Sequence, residues 1–137
     1  MFTTTTDVRF AHVDPAGIVF YPRYLEMLNG AVEDWFGDAI GSSFAELHID
    51  RRVGTPTVHL EVDFKIASRL GERLDISITP LRLGKSSCRI AVDFSCKGEL
   101  RLSAELVLVC TDLDTLSSTP WPDDLRAGIE RQLVPAS

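Results

Sequence analysis

The spacing of apolar residues changes period twice along this chain. Residues 2 to 11 are rich in threonine, valine and phenylalanine and predict a strand. From Pro22 to about Phe36 the period lengthens: Tyr24, Leu25, Met27, Leu28, Ala31, Val32, Trp35 and Phe36 recur at helical spacing. Pro22 suits a first helical turn, where a missing N–H is no loss. At roughly 100° per residue these side chains cover about half of the helix circumference, leaving Arg23, Glu26, Gly30, Glu33 and Asp34 opposite. So wide a stripe predicts a helix embraced by a curved sheet.

A loop including "FGDAIGSS" is expected next, and then strict alternation returns. Val58, Leu60, Val62, Phe64 and Ile66 interleave with His59, Glu61, Asp63 and Lys65, the pattern of a half-buried strand. Leu74, Ile76 and Ile78 predict a third strand, and Cys88 to Cys96 a fourth. Lys97-Gly98 is the turn into a fifth, from Leu100 to about Cys110. Long strands at short separations imply an antiparallel sheet, and one good helix to cover it makes the class α+β. The segment "AELVLVC" is apolar on both faces, which suggests that another subunit covers its outer face. The "STPWP" tail is expected to be extended, because each proline removes a donor and disfavours helix before it.

Length and composition bound what such a fold does. The 137 residues suit one domain spanning 1–137, large enough to bury a core without disulfides or metals. A formal charge of −6 argues against general nucleic-acid binding, which needs a basic face to neutralise phosphates. No apolar run approaches the roughly 20 residues that span a bilayer, and the N-terminus lacks a signal-peptide pattern, so a cytoplasmic location is the expectation. Cys88, Cys96 and Cys110 show no metal-ligand spacing and are expected to be core thiols; nucleophilic use of one is the distant alternative.

The stretch "VRFAHVDPAGIVFYPRYLEML", followed by "GTPTVHLEVDF" and a Gly-Lys-Ser between long strands, resembles the 4-hydroxybenzoyl-CoA thioesterase family, in the branch with Asp-Pro-Ala-Gly before the central helix. The resemblance implies a hot-dog fold, a long central helix wrapped by a five-stranded antiparallel sheet, assembled as homodimers or homotetramers with active sites at the dimer interface. It implies that Asp14 is the catalytic carboxylate and that the backbone N–H of Tyr21 polarises the thioester carbonyl. A helix N-terminus carries unsatisfied N–H groups and the positive end of the dipole, so it stabilises a developing oxyanion without any side chain. Asp14 either attacks the thioester carbon or deprotonates the attacking water. In an arbitrary protein the same Asp-Pro-Ala-Gly is a turn former or helix-entry cap, and Gly17 is the residue that lets the backbone turn.

Three further positions bear on the acyl group. His12 stands where many relatives carry an aspartate; it orients Asp14, or touches the acyl group, or is a strand-end histidine bonded to backbone. Asn29, at the border of the apolar stripe, replaces an aspartate found in relatives that bind a hydroxylated ring, and is otherwise a helix-surface residue. Thr55 of "GTP" matches an acyl-pocket position, or else shapes entry into the second strand. Arg82, Lys85, Ser86 and Arg89 in "LRLGKSSCR" resemble the loop that contacts the coenzyme A nucleotide. This is not a phosphate-cradling P-loop, since the earlier glycine is missing and a strand follows. The C-terminal arginine that helps bind nucleotide in some relatives has no clear counterpart before "SSTPWP".

The expectation is therefore an acyl-CoA thioesterase acting on an aromatic or similarly compact acyl group. It needs no metal or redox cofactor, coenzyme A being part of the substrate. The alternatives are a thioesterase for acyl groups borne on a carrier protein, a non-catalytic acyl-CoA-binding module, and an oligomeric interaction protein without a ligand.

Overall fold

A computed structural model describes residues 1–133; the last four residues of the expected 1–137 domain lie outside the described part. Strand β1 (Phe2–Asp7) leads through a 3₁₀ turn at Phe10–His12 to helix α1 (Tyr21–Asp34). Then come β2 (Val53–Gly54), β3 (Thr57–Phe64), β4 (Arg73–Leu83), β5 (Ser87–Cys96), β6 (Glu99–Val109), β7 (Thr111–Asp112) and β8 (Ser117–Ser118). Helix α2 (Asp123–Glu130) closes the order. The main sheet is antiparallel throughout, in the order β1-β4-β5-β6-β3, and β2, β7 and β8 form a small second sheet.

Helix α1 buries Tyr24, Met27, Leu28, Ala31 and Val32, a stripe that Trp35 and Phe36 extend. It packs on the inner face of the sheet, where Ile76 and Ile78 of β4, Ile90, Val92 and Phe94 of β5, and Leu102 and Leu106 of β6 are buried. At the Lys97-Gly98 turn both residues have positive φ, 50° and 81°, the mirror-image turn whose twist matches the flanking strands.

Five expectations need correction. The first strand stops at Asp7, which pairs with Arg73, the first residue of β4, so residues 8–11 have no ladder left to join. The segment after Phe36 is not a loop: wide helical turns run through Trp35–Ile40 and stop at Gly41, whose φ of 100° suits glycine. Ile40 lengthens the buried stripe, so burial outweighs Gly37, the one glycine inside these turns. Strand β3 is not half-buried. It is the sheet edge, which α1 meets only in part, through Tyr21 and Tyr24 on Phe64, and Val58, Leu60, Phe64 and the following Ile66 stay exposed while Val62 alone is partly covered. A bulge at Val58 further breaks the alternation. The third strand begins at Arg73 and runs on to Leu83, well past Ile78. Finally, "STPWP" is extended as expected, but α2 follows it, opened by Asp123 and Asp124 at the positive end of the helix dipole. Leu125 and Ile129 of α2 and the preceding Trp121 are buried. Among the described residues no helix is long and apolar enough to cross a membrane.

Candidate active site

Residues 12 to 20 form a small hairpin that delivers the chain to α1. Val13 bridges Val19, the Phe20 N–H donates to the His12 carbonyl at 2.9 Å, and the Asp14 N–H donates to the Ile18 carbonyl at 2.9 Å. Its tip is the turn Asp14-Pro15-Ala16-Gly17, closed by the Gly17 N–H on the Asp14 carbonyl at 2.9 Å. Each residue suits its place: aspartate first, proline second, and glycine last, here at φ 78°. Asp14 Oδ1 accepts the Ala16 N–H at 2.9 Å. The turn-forming role is therefore real, but it occupies one carboxylate oxygen. Among the described residues Oδ2 has no hydrogen-bond partner and no cation pairs with the group, so one oxygen is free to attack or to take a proton.

Tyr21 is the first residue of α1. Pro22 has no N–H and that of Arg23 donates to the Phe20 carbonyl at 2.9 Å, so Tyr21 supplies the open donor of the first turn. Its side chain points away from the core: the residue is 58% exposed and its ring stacks between Phe20 and Phe64, with centroids 5.6 and 6.3 Å away. Residues 68–70 fasten this entrance from the other side. The Val19 N–H donates to the Ser68 carbonyl at 2.9 Å, the Leu70 N–H to the Gly17 carbonyl at 3.0 Å, and the Ser68 N–H to the Tyr24 hydroxyl at 3.2 Å.

Asn29 and Thr55 come together. They line one cavity of about 660 Å³ beside α1, with Phe44, Val32 and Leu108 as its apolar wall. His12 does not join them; it lines a separate groove of about 260 Å³ between β1 and α1. Its Nδ1 accepts the Arg9 N–H at 2.8 Å, which is the backbone-bonded alternative, and it makes no hydrogen bond to Asp14.

The basic cluster sits at the β4–β5 turn. Arg82 faces Arg89 across the ladder, Lys85 is exposed, Ser86 is partly covered, and Arg89 bonds Glu105 at 3.2 Å. A residue passed over in the sequence lies here too: Arg126 of α2 donates to the Gly84 carbonyl at 2.6 Å, and the Trp121 indole to that of Ser87 at 3.1 Å. The two aspartates after Pro122 are the signal that would have revealed α2, and Arg126 with it.

These two groups of residues occupy opposite ends of the sheet. The hairpin is fastened where β4 begins and β3 ends, whereas the 84–86 turn lies where β4 ends and β3 begins. Eleven residues of β4 separate them, roughly 30 Å at about 3.3 Å per residue. The three cysteines are buried, and burial pushes the Cys88 thiol up to about 12 and that of Cys110 to about 11, so neither supplies a thiolate at neutral pH.

The profile of the family described as the thioesterase-like superfamily matches residues 8–129. A 1,4-dihydroxy-2-naphthoyl-CoA hydrolase of Synechococcus elongatus is 28% identical over 120 residues, covering 87% of this chain and 88% of its own. Among solved structures, a thioesterase-superfamily protein from Jannaschia sp. CCS1 superposes with a TM-score of 0.90 at 32% identity, over 98% of this chain and 94% of that one. A 1,4-dihydroxy-2-naphthoyl-CoA thioesterase from Synechocystis shares the fold, with a TM-score of 0.82 at 24% identity over 93% and 94% of the two chains.

Proposed function

The chain belongs to the thioesterase-like superfamily, of hot-dog fold, and is a thioester hydrolase; on that premise we propose that it cleaves a compact aromatic acyl group from coenzyme A. The observation that carries the mechanism is the pairing of a carboxylate with one free oxygen, Asp14, with an open helix N-terminus, Tyr21. The Tyr21 N–H receives the carbonyl oxygen as it becomes negative. Asp14 either adds to the carbonyl carbon, expelling the CoA thiolate and leaving a mixed anhydride that water opens, or takes a proton from water that adds directly. Either course gives the free acid and CoA and draws on no metal or redox cofactor.

The aromatic preference is supported by the naphthoyl-CoA hydrolase relative and by the Asn29–Thr55 cavity, whose polar pair and apolar wall suit a ring bearing a polar substituent. A finer placement beside the 4-hydroxybenzoyl-CoA thioesterases rests on the Asp-Pro-Ala-Gly turn leading into α1. Arg82, Lys85 and Ser86 bind the nucleotide, while Arg89, held by Glu105, is the less available cation.

The distance between the hairpin and the basic turn calls for a second copy. Strand β3 offers an unpaired edge with exposed Val58, Leu60 and Phe64. Two such edges pairing antiparallel set the Thr57 end of one against the Phe64 end of the other, which carries the partner's basic turn toward this chain's Asp14 and Tyr21. Sedimentation velocity reads this assembly, and a monomer with full turnover would overturn it.

Thiol release across aryl, phenylacyl and aliphatic CoA thioesters, with an acyl-carrier-protein thioester alongside, tests the substrate class. The expected result is the highest kcat/KM for an aryl-CoA. Turnover of the carrier-protein substrate alone would transfer the reading to that class, and binding without any thiol release would make the protein an acyl-CoA-binding module.

A further inference from the structure

Arg101 is a cation that the proposed chemistry does not use, yet its side chain is only 8% exposed. It holds Glu72 with two parallel bonds, Nη1 to Oε1 at 2.8 Å and Nη2 to Oε2 at 2.9 Å. Nη1 also reaches the Ala67 carbonyl at 3.2 Å and the Ser68 hydroxyl at 3.4 Å. Its Nε lies 2.9 Å from Glu99 Oε1, although the N–H is not aligned for a hydrogen bond. Glu72 in turn accepts the Arg69 N–H at 2.6 Å. Every one of these partners except Glu99 belongs to the segment 67–72 that joins β3 to β4.

That segment is the one fastened to the helix entrance. Ser68, wholly buried, accepts the Val19 N–H on its carbonyl and donates its own N–H to the Tyr24 hydroxyl, while the Leu70 N–H donates to the Gly17 carbonyl and Arg69 bridges Ile18. A continuous line of bonds therefore runs from the Arg101 guanidinium through 67–72 to both flanks of Tyr21. A buried ion pair gains little net stability over apolar packing, because desolvation offsets its attraction. A planar fork with five donors does, however, fix a connecting segment in one position, which a greasy side chain does not.

We infer that the Arg101–Glu72 pair is a positioning device for the reaction: it pins 67–72 so that the Asp14 turn and the Tyr21 N–H stand in fixed register at the mouth of α1. The inference rests on the thioesterase mechanism proposed above. Neither residue is required to touch substrate. Placement of an oxyanion donor tolerates errors of only about 0.5 Å, and a displacement of about 1 Å at a reacting centre costs on the order of 10²-fold in rate. Loosening the pin therefore lowers kcat while leaving the binding of the acyl and nucleotide ends, which depends on other residues, largely intact.

The test compares Glu72→Gln, Arg101→Lys and Arg101→Met with Asp124→Asn, which weakens a bidentate pair to Arg51 remote from the entrance (2.7 and 2.8 Å). Steady-state kinetics on the best CoA thioester are read beside amide hydrogen exchange. Glu72→Gln and Arg101→Met are expected to lose about 10-fold or more in kcat with KM within about 3-fold, and Arg101→Lys to recover part of that loss. The Val19 and Leu70 amides should exchange at least about 10-fold faster, while the Val92 amide at the sheet centre stays protected. Asp124→Asn should change neither reading. Folded Glu72→Gln with Val19 and Leu70 protection unchanged would overturn the inference, as would a kcat loss no larger than that of Asp124→Asn. If the wild-type protein releases no thiol, the mechanism itself fails; the exchange arm then still decides whether the pair pins the entrance.

Discussion

Arg82 of β4 stands directly opposite Arg89 of β5 in the antiparallel ladder. Like charges facing each other across a sheet are destabilising, and among the described residues only Arg89 of the two has a carboxylate, Glu105, to offset it. With Lys85 at the adjoining turn, the arrangement leaves a site short of negative charge on an otherwise acidic chain. Lys85→Glu is expected to raise KM for CoA thioesters about 10-fold or more with little change in kcat, because a phosphate contact far from the reacting carbonyl gives uniform binding. The effect should shrink for a pantetheine thioester, which lacks the nucleotide, and fade with salt. Equal damage on both substrates would give Lys85 a structural role.

Asp14→Asn keeps the Ala16 N–H bond available, since the amide oxygen also accepts, and so should leave the turn and the fold intact. It removes the charge on which attack or proton abstraction depends. A loss of about 10²-fold or more in kcat at unchanged Tm is the expected outcome. Near-normal turnover in the folded variant would return Asp14 to its role as a turn former.

Stability in acid reports on Glu72. The Arg101 hydrogen bonds first, and the Arg69 N–H second, hold its carboxyl at about 2, against an ordinary value of 4.5. The folded form thus favours the charged carboxylate, and this contribution is complete above pH 4.5 and lost as pH falls towards 2. Wild-type stability should fall through that window by about 2 kcal/mol more than that of Glu72→Gln, once solvent screening of the partly open pair is allowed for. Urea unfolding at pH 6, 4.5, 3.5 and 2.5 measures the difference. Parallel curves for the two proteins would mean that Glu72 is no better stabilised when folded than when unfolded.

How much of this was legible in the chain depends on the range of each interaction. Tyr24 to Phe36 announce α1 because helix periodicity is local, and Lys97-Gly98 announces its hairpin because two residues decide the turn. Asp14, Pro15 and Gly17 likewise carry their turn within four residues. Strand β3 misled because alternation shows that one face is apolar but not what lies against it; Leu60 and Phe64 look like core residues and sit on an open edge. Arg101 and Glu72 are 29 positions apart, and nothing in either neighbourhood indicates that they meet. The separation of Asp14's end of the sheet from Lys85's end, roughly 30 Å along β4, was equally hidden, since both stretches resemble one family's site and only strand register separates them.

Tyr21 allows backbone and side chain to be told apart. Its hydroxyl makes no hydrogen bond among the described residues, and its ring stacks on Phe20 and Phe64 through faces that phenylalanine shares. Tyr21→Phe should therefore retain most of kcat and most of Tm. Replacing the Tyr21 amide with an ester by unnatural mutagenesis deletes the donor alone, and because that N–H is in an unpaired first-turn position the helix loses no internal bond. The ester should cost on the order of 10²-fold in kcat, the usual scale for one oxyanion-hole donor. A proline at this position would remove the same N–H but would also restrict Phe20, whose N–H closes the hairpin on His12, and so would disturb Asp14 as well. A large loss in Tyr21→Phe beside a near-silent ester would make the phenol the donor, and the mouth of α1 would then serve only to turn the chain.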